Sequence, residues 1–461
     1  MKYCRWCIAG CALLVSVYFV PSIAAETAPV SRMATFRCDI TPPPGQPLIS
    51  CDPVVRVEEP LLAKGVLLEF GGCRYVLCAL DWCELCNGSH QSMRQAIAEA
   101  AGAELAHVAV SCVHLHTAPL VDMDAQKLLA DAGIAAKTQI SPVVFEAIER
   151  RVAVAVRKAT ERLEPFDAVG AGQAKVDRVA ATRRPKDAAG KILARYSACK
   201  DPAIRALPEG AIDPYLKTIT LARGSKPLVR LHYYATHPQS RYGDGQVGHD
   251  FVGDAREELE RREGVFQIYF TGCAGDVTVG KYNDEGPTRR KELAGRLLAG
   301  MEAAASATRL APAGRMLWRT YPLRLPPRDD AGFNLADSLA KLKDSDAKTV
   351  LVLKMMSAVR AASIRRADRP IELSSLRIGD VHIVHLPGEP MACFQWFAQK
   401  TKPADFVAVA GYGDGGPGYL CPAKAFDEGG YEPTESNVKP ESEVLLKKAI
   451  AALLGADIAD Y

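Results

Sequence analysis

The chain predicts an α/β fold of mixed β-sheets flanked by helices. Strand-like and helix-like segments alternate along most of its length, and strand after strand stops at a polar residue followed by a turn. With 461 residues, 48% of them hydrophobic and 24% charged, there is ample material for a large core. Phe36 to Pro44 reads as a short strand and a Pro-rich turn, followed by strands near Gly65 to Phe70 and Tyr75 to Leu80. Asn87 and Ser89 offer caps for a helix to about Ala101, and the apolar, β-branched run Val108 to Val113 supplies the next strand. Val143, Phe145, Ile148, Val152 and Val156 fall at helical spacing within a helix over about 142–163. Leu216 to Leu221 and Pro227 to Tyr234 form a strand pair around Arg223-Gly224-Ser225. Val265 to Phe270 adds a strand, and Arg289 to Ala305 a helix.

From about 309 to 369 a few strand-like residues give way to a Lys-, Ala- and Asp-rich stretch, expected as a helical insert or arm. Ile371 to Leu386 returns to strands through Ile378-Gly379-Asp380 and stops at Pro387-Gly388-Glu389-Pro390. A helix over Met391 to Lys400, a strand over Phe406 to Ala410, a glycine-rich loop and a helix from about Glu441 complete the chain. No internal repeat is visible.

Residues 1–25 read as a secretory signal. Lys2 and Arg5 precede an apolar stretch through Val20, and Pro21-Ser22-Ile23-Ala24-Ala25 offers small residues for cleavage. The apolar core is short for a membrane span. Ile8-Ala9-Gly10-Cys11 resembles a lipoprotein box, so lipid anchoring stands second to a secreted or periplasmic protein, with residues 26–461 as one domain. A formal net charge of +3 gives no reason to expect a nucleic-acid partner. Of 14 cysteines, Cys4, Cys7 and Cys11 lie in the leader, and an odd number remains. Cys83-x-x-Cys86 reads as a disulfide or inert core, with no second pair to complete a zinc site.

Chemistry enters at His114-x-His116, where a buried strand becomes loop. Period-two geometry sends both rings to one side. Neutral imidazole is the commonest metal ligand, and the second ring is free to ligate, accept a proton or orient substrate. His237 and Glu389 also follow strands, and two histidines with one carboxylate form the protein set of many hydrolytic zinc sites. Asp81 and Asp250 are candidates to orient a ligand imidazole, with capping or turn roles as alternatives. Asp276 is placed to hold the loop beside Thr278. Gly275-x4-Gly280-Lys281 mimics a phosphate-binding loop, but Tyr282 replaces the hydroxyl residue and no helix opens there. His232, His249, His382 and His385 match no pattern.

Several stretches, in order, carry a resemblance. They are His114-Leu115-His116-Thr117-Ala118-Pro119, Ala235-Thr236-His237-Pro238, Gly275-Asp276-Val277-Thr278, Pro387-Gly388-Glu389, Gly418-Tyr419 and Tyr431-Glu432. Together they resemble the catalytic domain of the neutral/alkaline non-lysosomal ceramidases, zinc amidases that cleave the N-acyl bond of ceramide, of which this chain looks like a distant member. The resemblance implies Zn2+ held by His114, His237, Glu389 and Tyr419. It implies His116 as proton acceptor and donor, Tyr431 and Arg183 as donors to the oxyanion, and a substrate-positioning hydroxyl at Thr278. Arg184 competes with Arg183 for its role. The chain departs from the family at Thr278, where a serine is expected, and at Val279-Gly280, where Pro-Asn is expected. The implied activity is hydrolysis of an N-acyl amide, a ceramide-like lipid, with peripheral membrane contact. A different amide or ester, or a non-catalytic secreted binding protein on the same scaffold, are the competing readings.

Overall fold

The computed structural model describes residues 1–2, 31–344 and 350–456; most of the leader, with its cysteines, lies outside them. Three sheets, built alike, organise the chain. In the first, β1 (Arg32–Asp39), β2 (Leu62–Phe70) and β3 (Cys73–Leu80) run antiparallel in succession. Helix α1 (Asn87–Ala101) then returns the chain so that β4 (Val108–Cys112) lies parallel to β3. Such a parallel step requires a crossover, which α1 supplies. Beyond it come α2 (Met123–Asp131) and α3 (Pro142–Thr160). Ser141 accepts from Val144 N and Pro142 opens α3, while Phe145, Ile148, Val152, Val156 and Ala159 form its buried stripe.

The second sheet repeats the plan. β5 (Ala168–Lys175), β6 (Tyr215–Arg223) and β7 (Lys226–Tyr234) are antiparallel. Helix α4 (Asp250–Glu263) crosses over to β8 (Phe266–Thr271), parallel to β7, and α5 (Arg289–Ser306) packs against α4 and β5. The third has β9 (Met316–Leu323), α6 (Leu335–Leu342), α7 (Val350–Arg365), β10 (Ile371–Ile378) and β11 (Val381–His385). Here β9, β10 and β11 are antiparallel, and α8 (Ala392–Thr401) crosses to β12 (Phe406–Ala410), parallel to β11. Helix α9 (Ser442–Leu454) covers this sheet. The repeat invisible in the sequence is therefore present in the topology.

The sheets turn one face inward. Val66, Leu68 and Leu77 of the first, Ile219, Leu221 and Leu231 of the second, and Leu376, Ile378, Val381 and Ile383 of the third enclose one small apolar space. The ends of β4, β8 and β12 are tied in a ring: Cys112 N donates to Tyr412 O at 2.7 Å, Gly411 N to Thr271 O at 2.9 Å, and Thr271 Oγ1 to Val113 O at 2.7 Å. All three chains therefore leave their strands at one place.

The region expected as a helical arm divides in two. Arg309–Pro312 pairs with β5 and β9 forms the edge of the third sheet, so its start completes two sheets. Helices α6 and α7 pack on each other, and α7 also on α2. Nothing in the periodicity anticipates α4, whose Asp-, Glu- and Arg-rich sequence hides a buried stripe of Phe251, Val252, Ala255 and Leu259. Asn87 does not cap α1 as expected. It takes φ 54°, the N-cap is Cys86, and the first amides are met from afar, Asn87 N by Asp414 Oδ1 at 2.7 Å and Gly88 N by Asp124 Oδ2 at 3.1 Å. Among the described residues eleven cysteines are free, and Cys83 and Cys86 are buried without a disulfide. No described helix is long and apolar enough to cross a membrane.

Asp81, just past β3, and Arg256 on α4 are each 1% exposed and joined by two bonds of 2.8 and 2.9 Å, locking the first sheet to the second unit. Removing one partner strands a buried charge. Arg256→Ala is therefore expected to lower unfolding free energy by about 3–5 kcal/mol, measured by urea denaturation; a loss below 1 kcal/mol would show that water reaches the pair.

Candidate metal-dependent active site

Each candidate ligand sits where a strand is forced to stop. Past β4, Val113 N donates to Leu80 O, and His114 takes φ 70°, which ends the strand and turns its ring inward. Its amide is held by Trp82 O at 2.9 Å and its Nδ1 donates to Cys83 O at 3.0 Å. His116 follows on the same side, as the spacing predicts, with the ring centroids 4.9 Å apart. Thr117 Oγ1 pins this loop by donating to Gly248 O at 2.6 Å. Past β7, His237 N donates to Val277 O, and its Nδ1 faces Ala274 O at 2.8 Å.

Glu389 and Tyr419 are register partners in a two-residue parallel pair, Glu389–Pro390 with Tyr419–Leu420. Gly388 makes this approach possible: it has φ 57°, and a Cβ there would stand 2.4 Å from Gly418 O.

These residues converge. The Nε2 atoms of His114 and His237 lie 3.2 and 3.1 Å from Glu389 Oε2, and His237 Nε2 lies 3.2 Å from Tyr419 Oη. Because both rings spend their Nδ1 proton on backbone carbonyls, each presents an Nε2 lone pair to the centre. Glu389 Oε2 is buried and accepts no hydrogen bond. A carboxylate oxygen among lone pairs has nothing to neutralise it, which is the environment a cation requires. Donors held about 2.0–2.1 Å from a tetrahedral ion stand about 3.3 Å apart, close to the spacings found. His114, His237 and Glu389 therefore fit a small divalent cation, with Tyr419 as a fourth donor. A second acid–imidazole cluster, Glu59, His249 and Asp254, is unsuited to one because Arg290 already bonds both carboxylates.

Arg183, 4% exposed, donates from Nη1 to Tyr419 Oη at 2.6 Å, while Arg184 turns away to Glu432 at 2.6 Å. The competition between the two arginines is thus decided by direction. Burial pushes the Tyr419 phenol well up, and the adjacent Arg183 charge draws it back towards the phenolate. Tyr431 meets Tyr419 edge-on at 5.7 Å, and the Arg183 guanidinium lies 5.4 Å from its ring centre. His116 Nε2 lies 3.3 Å from His114 Nε2, and burial and the two neighbouring imidazoles hold it well below the usual histidine range. Its Nδ1 and the Nε of Arg183 are buried without partners.

Thr278 stands apart from this group. Its hydroxyl donates to Arg195 O at 3.2 Å and accepts from Gly280 N at 3.2 Å, so it holds backbone. Asp81 and Asp250 do not orient the imidazoles. Asp81 pairs with Arg256, and Asp250 accepts from Ser240 N at 2.8 Å and from Phe251 N at 2.6 Å, while carbonyls hold the rings instead. Asp276 braces the loop, its carboxylate accepting from Ala392 N at 2.8 Å and its carbonyl from Arg183 N at 2.7 Å. His232, His249, His382 and His385 are bonded to Gln267, Asp254, Asp405 and Ser374, away from the centre.

Two residues went unnoticed in the sequence. Tyr412 stacks on His114 at 4.3 Å and 28°, its hydroxyl buried without a partner. Glu84 hydrogen-bonds to Glu389, and burial followed by the Glu389 charge keeps it well above the usual carboxylate range. The topological repeat is the signal that would have found both. His114 and Tyr412 each stand two residues past the last strand of their unit, both with positive φ. Glu84 and Glu389 each stand four past the third strand and open a short parallel pair.

No family model and no curated protein matches the sequence. Among solved structures, the crystal structure of neutral ceramidase from Pseudomonas aeruginosa is similar with a TM-score of 0.67 at 15% identity, over 94% of this chain and 77% of that one. A ceramidase complexed with C2 also gives 0.67 at 15% identity, over 93% and 76%. Mixed sheets, flanking helices and the order of the strands together give this chain the fold of neutral ceramidase.

Proposed function

We propose that the chain is an exported, zinc-dependent amidohydrolase of the neutral ceramidase type that hydrolyses an N-acyl amide, a ceramide-like lipid reached by peripheral contact with a membrane. The observation that carries this reading is the unneutralised Glu389 Oε2 between two imidazole lone pairs, with His116 Nδ1 and Arg183 Nε left unpartnered beside it. Buried polar atoms without partners are costly, and a cluster of them is suited to a ligand. His114, His237, Glu389 and Tyr419 would hold the zinc. When bound, zinc polarises a carbonyl and lowers the pKa of a water towards ~7.

The chain's own residues divide the remaining work. Neutral His116 is able to take a proton from the attacking water and return it to the leaving nitrogen, which otherwise departs as a poor anionic leaving group. Arg183 gives one arm to Tyr419 and keeps Nε for the oxygen on which charge develops, with the Tyr431 phenol beside it. Both donors are fixed before substrate arrives, so little reorganisation is needed. Glu84 holds Glu389 in place through its proton, and the Cys83, Ala274 and Val277 carbonyls fix the imidazole tautomers. Thr278 acts indirectly, through the Arg195 backbone.

Purified protein is expected to carry about one zinc per chain by elemental analysis, and His114→Ala or His237→Ala to lose both metal and turnover. Full amidase activity in metal-stripped wild type would sink the mechanism. Arg183→Ala should reduce kcat by about 10²–10³, and His116→Ala by about 10²–10⁴, with zinc retained in His116→Ala. A protein that binds zinc but cleaves no amide or ester across a panel of N-acyl substrates would instead be a binding protein.

A further inference from the structure

Five ring contacts join into one continuous arc through the site. Tyr196 meets Tyr431 edge-on at 5.6 Å, Tyr431 meets Tyr419 at 5.7 Å, and Tyr419 stacks on His237 at 6.4 Å. His237 lies 5.8 Å from His116, and His116 5.9 Å from Tyr242. The middle of this arc is buried, with His237 at 0% and Tyr419 at 4% exposure. Its two ends are open: Tyr196 is 50% and Tyr242 42% exposed. Ring-to-ring contacts therefore run from solvent down to the candidate ligand cluster and back out.

The ends are not loose. Asn283 is fully buried, and its amide donates at 2.9 Å both to Ser197 O, next to Tyr196, and to Ser240 O, two residues before Tyr242. One side chain thus ties together the two loops that carry the exposed rings. The loop bearing Tyr196 is held from below as well, by the bond from Thr278 Oγ1 to Arg195 O and by Gly280. A Cβ at Gly280 would stand 1.8 Å from Tyr196 O, so no other residue allows this path. Thr278 and Gly280 are two of the positions where the chain departs from the motif it otherwise resembles. The departure at Gly280 serves the placement of Tyr196, while the Thr278 hydroxyl is one that the expected serine would also offer.

We infer that Tyr196 and Tyr242 form a rigid aromatic rim that grips the aliphatic chain of the substrate where it leaves the reaction centre, making them specificity-determining residues. Flat rings with few rotatable bonds, fixed by a shared anchor, bind hydrocarbon with little loss of side-chain freedom. This inference rests on the amidase reading for the identity of the site, so its test includes a measurement independent of turnover.

The probe is decanoate, a product-like aliphatic acid, titrated calorimetrically into the full-length protein with its metal in place. Tyr196→Ala and Tyr242→Ala are each expected to weaken binding roughly tenfold, while Tyr196→Phe and Tyr242→Phe bind as the wild type does. Asn283→Ala, which frees both loops, is expected to weaken binding at least as much. In a series of N-acyl amides of increasing acyl length, the alanine variants should lose the gain with length, chiefly through a raised KM. Decanoate affinities unchanged in both alanine variants, or absence of decanoate binding by the wild type, would overturn the rim. Binding that depends on the tyrosines without hydrolysis of any amide would overturn the amidase reading and leave the rim standing.

Discussion

A buried carboxylate set between imidazoles that have already given their protons to backbone carbonyls is the constraint around which the rest is arranged. Glu389 Oε2 cannot be relieved by His114 or His237 in the tautomers their carbonyl partners impose, and it is closed off from water. Glu84 beside it, held well above the usual carboxylate range by burial and by the Glu389 charge, brings no positive charge to it. What remains is a concentrated negative site among lone pairs, an environment that favours a cation. Arg183 supplies one positive charge at Tyr419, on the flank of the cluster instead of at its centre.

Such a site has to be enforced from several directions, and the three-unit architecture does so. Each unit ends in a parallel strand whose last residues meet those of the other two in a ring of hydrogen bonds. Loops leaving one place have short paths to a common point. His114 and Tyr412 occupy equivalent places in the first and third units, and so do Glu84 and Glu389. One member of each pair belongs to the candidate ligand set and the other supports it, by stacking or by a hydrogen bond. A repeated backbone with unlike side chains thus yields both a site and its scaffold.

Much of the secondary structure could be read locally. The strands around residues 62–80, 108–112, 215–234, 266–271 and 371–385, and the helices near 142, 289, 392 and 442, carry their own periodicity, and their boundaries fall within a few residues of expectation. Where local reading failed, the cause lies elsewhere in the chain. The charged helix α4 is recognisable only once its stripe finds the second sheet. Asn87 looks like a cap, but its own amide is capped by Asp414, more than three hundred residues away. The strand over 316–323 alternates weakly because it is an edge, with one face half-exposed.

The sequence by itself determined an α/β alternation, a set of strand ends carrying histidines and acids, and a motif order pointing to His114, His116, His237, Glu389 and Tyr419. The first two follow from short-range periodicity and from residue types that chemistry requires, whereas the motif order, Tyr419 above all, rests on the resemblance to the ceramidases. Only the tertiary structure decided that Arg183 and not Arg184 faces Tyr419, that backbone carbonyls and not Asp81 or Asp250 orient the rings, and that Thr278 holds a loop. Each of these depends on the direction of a side chain at a contact between segments far apart in the chain, and direction is fixed by packing, which no local pattern encodes.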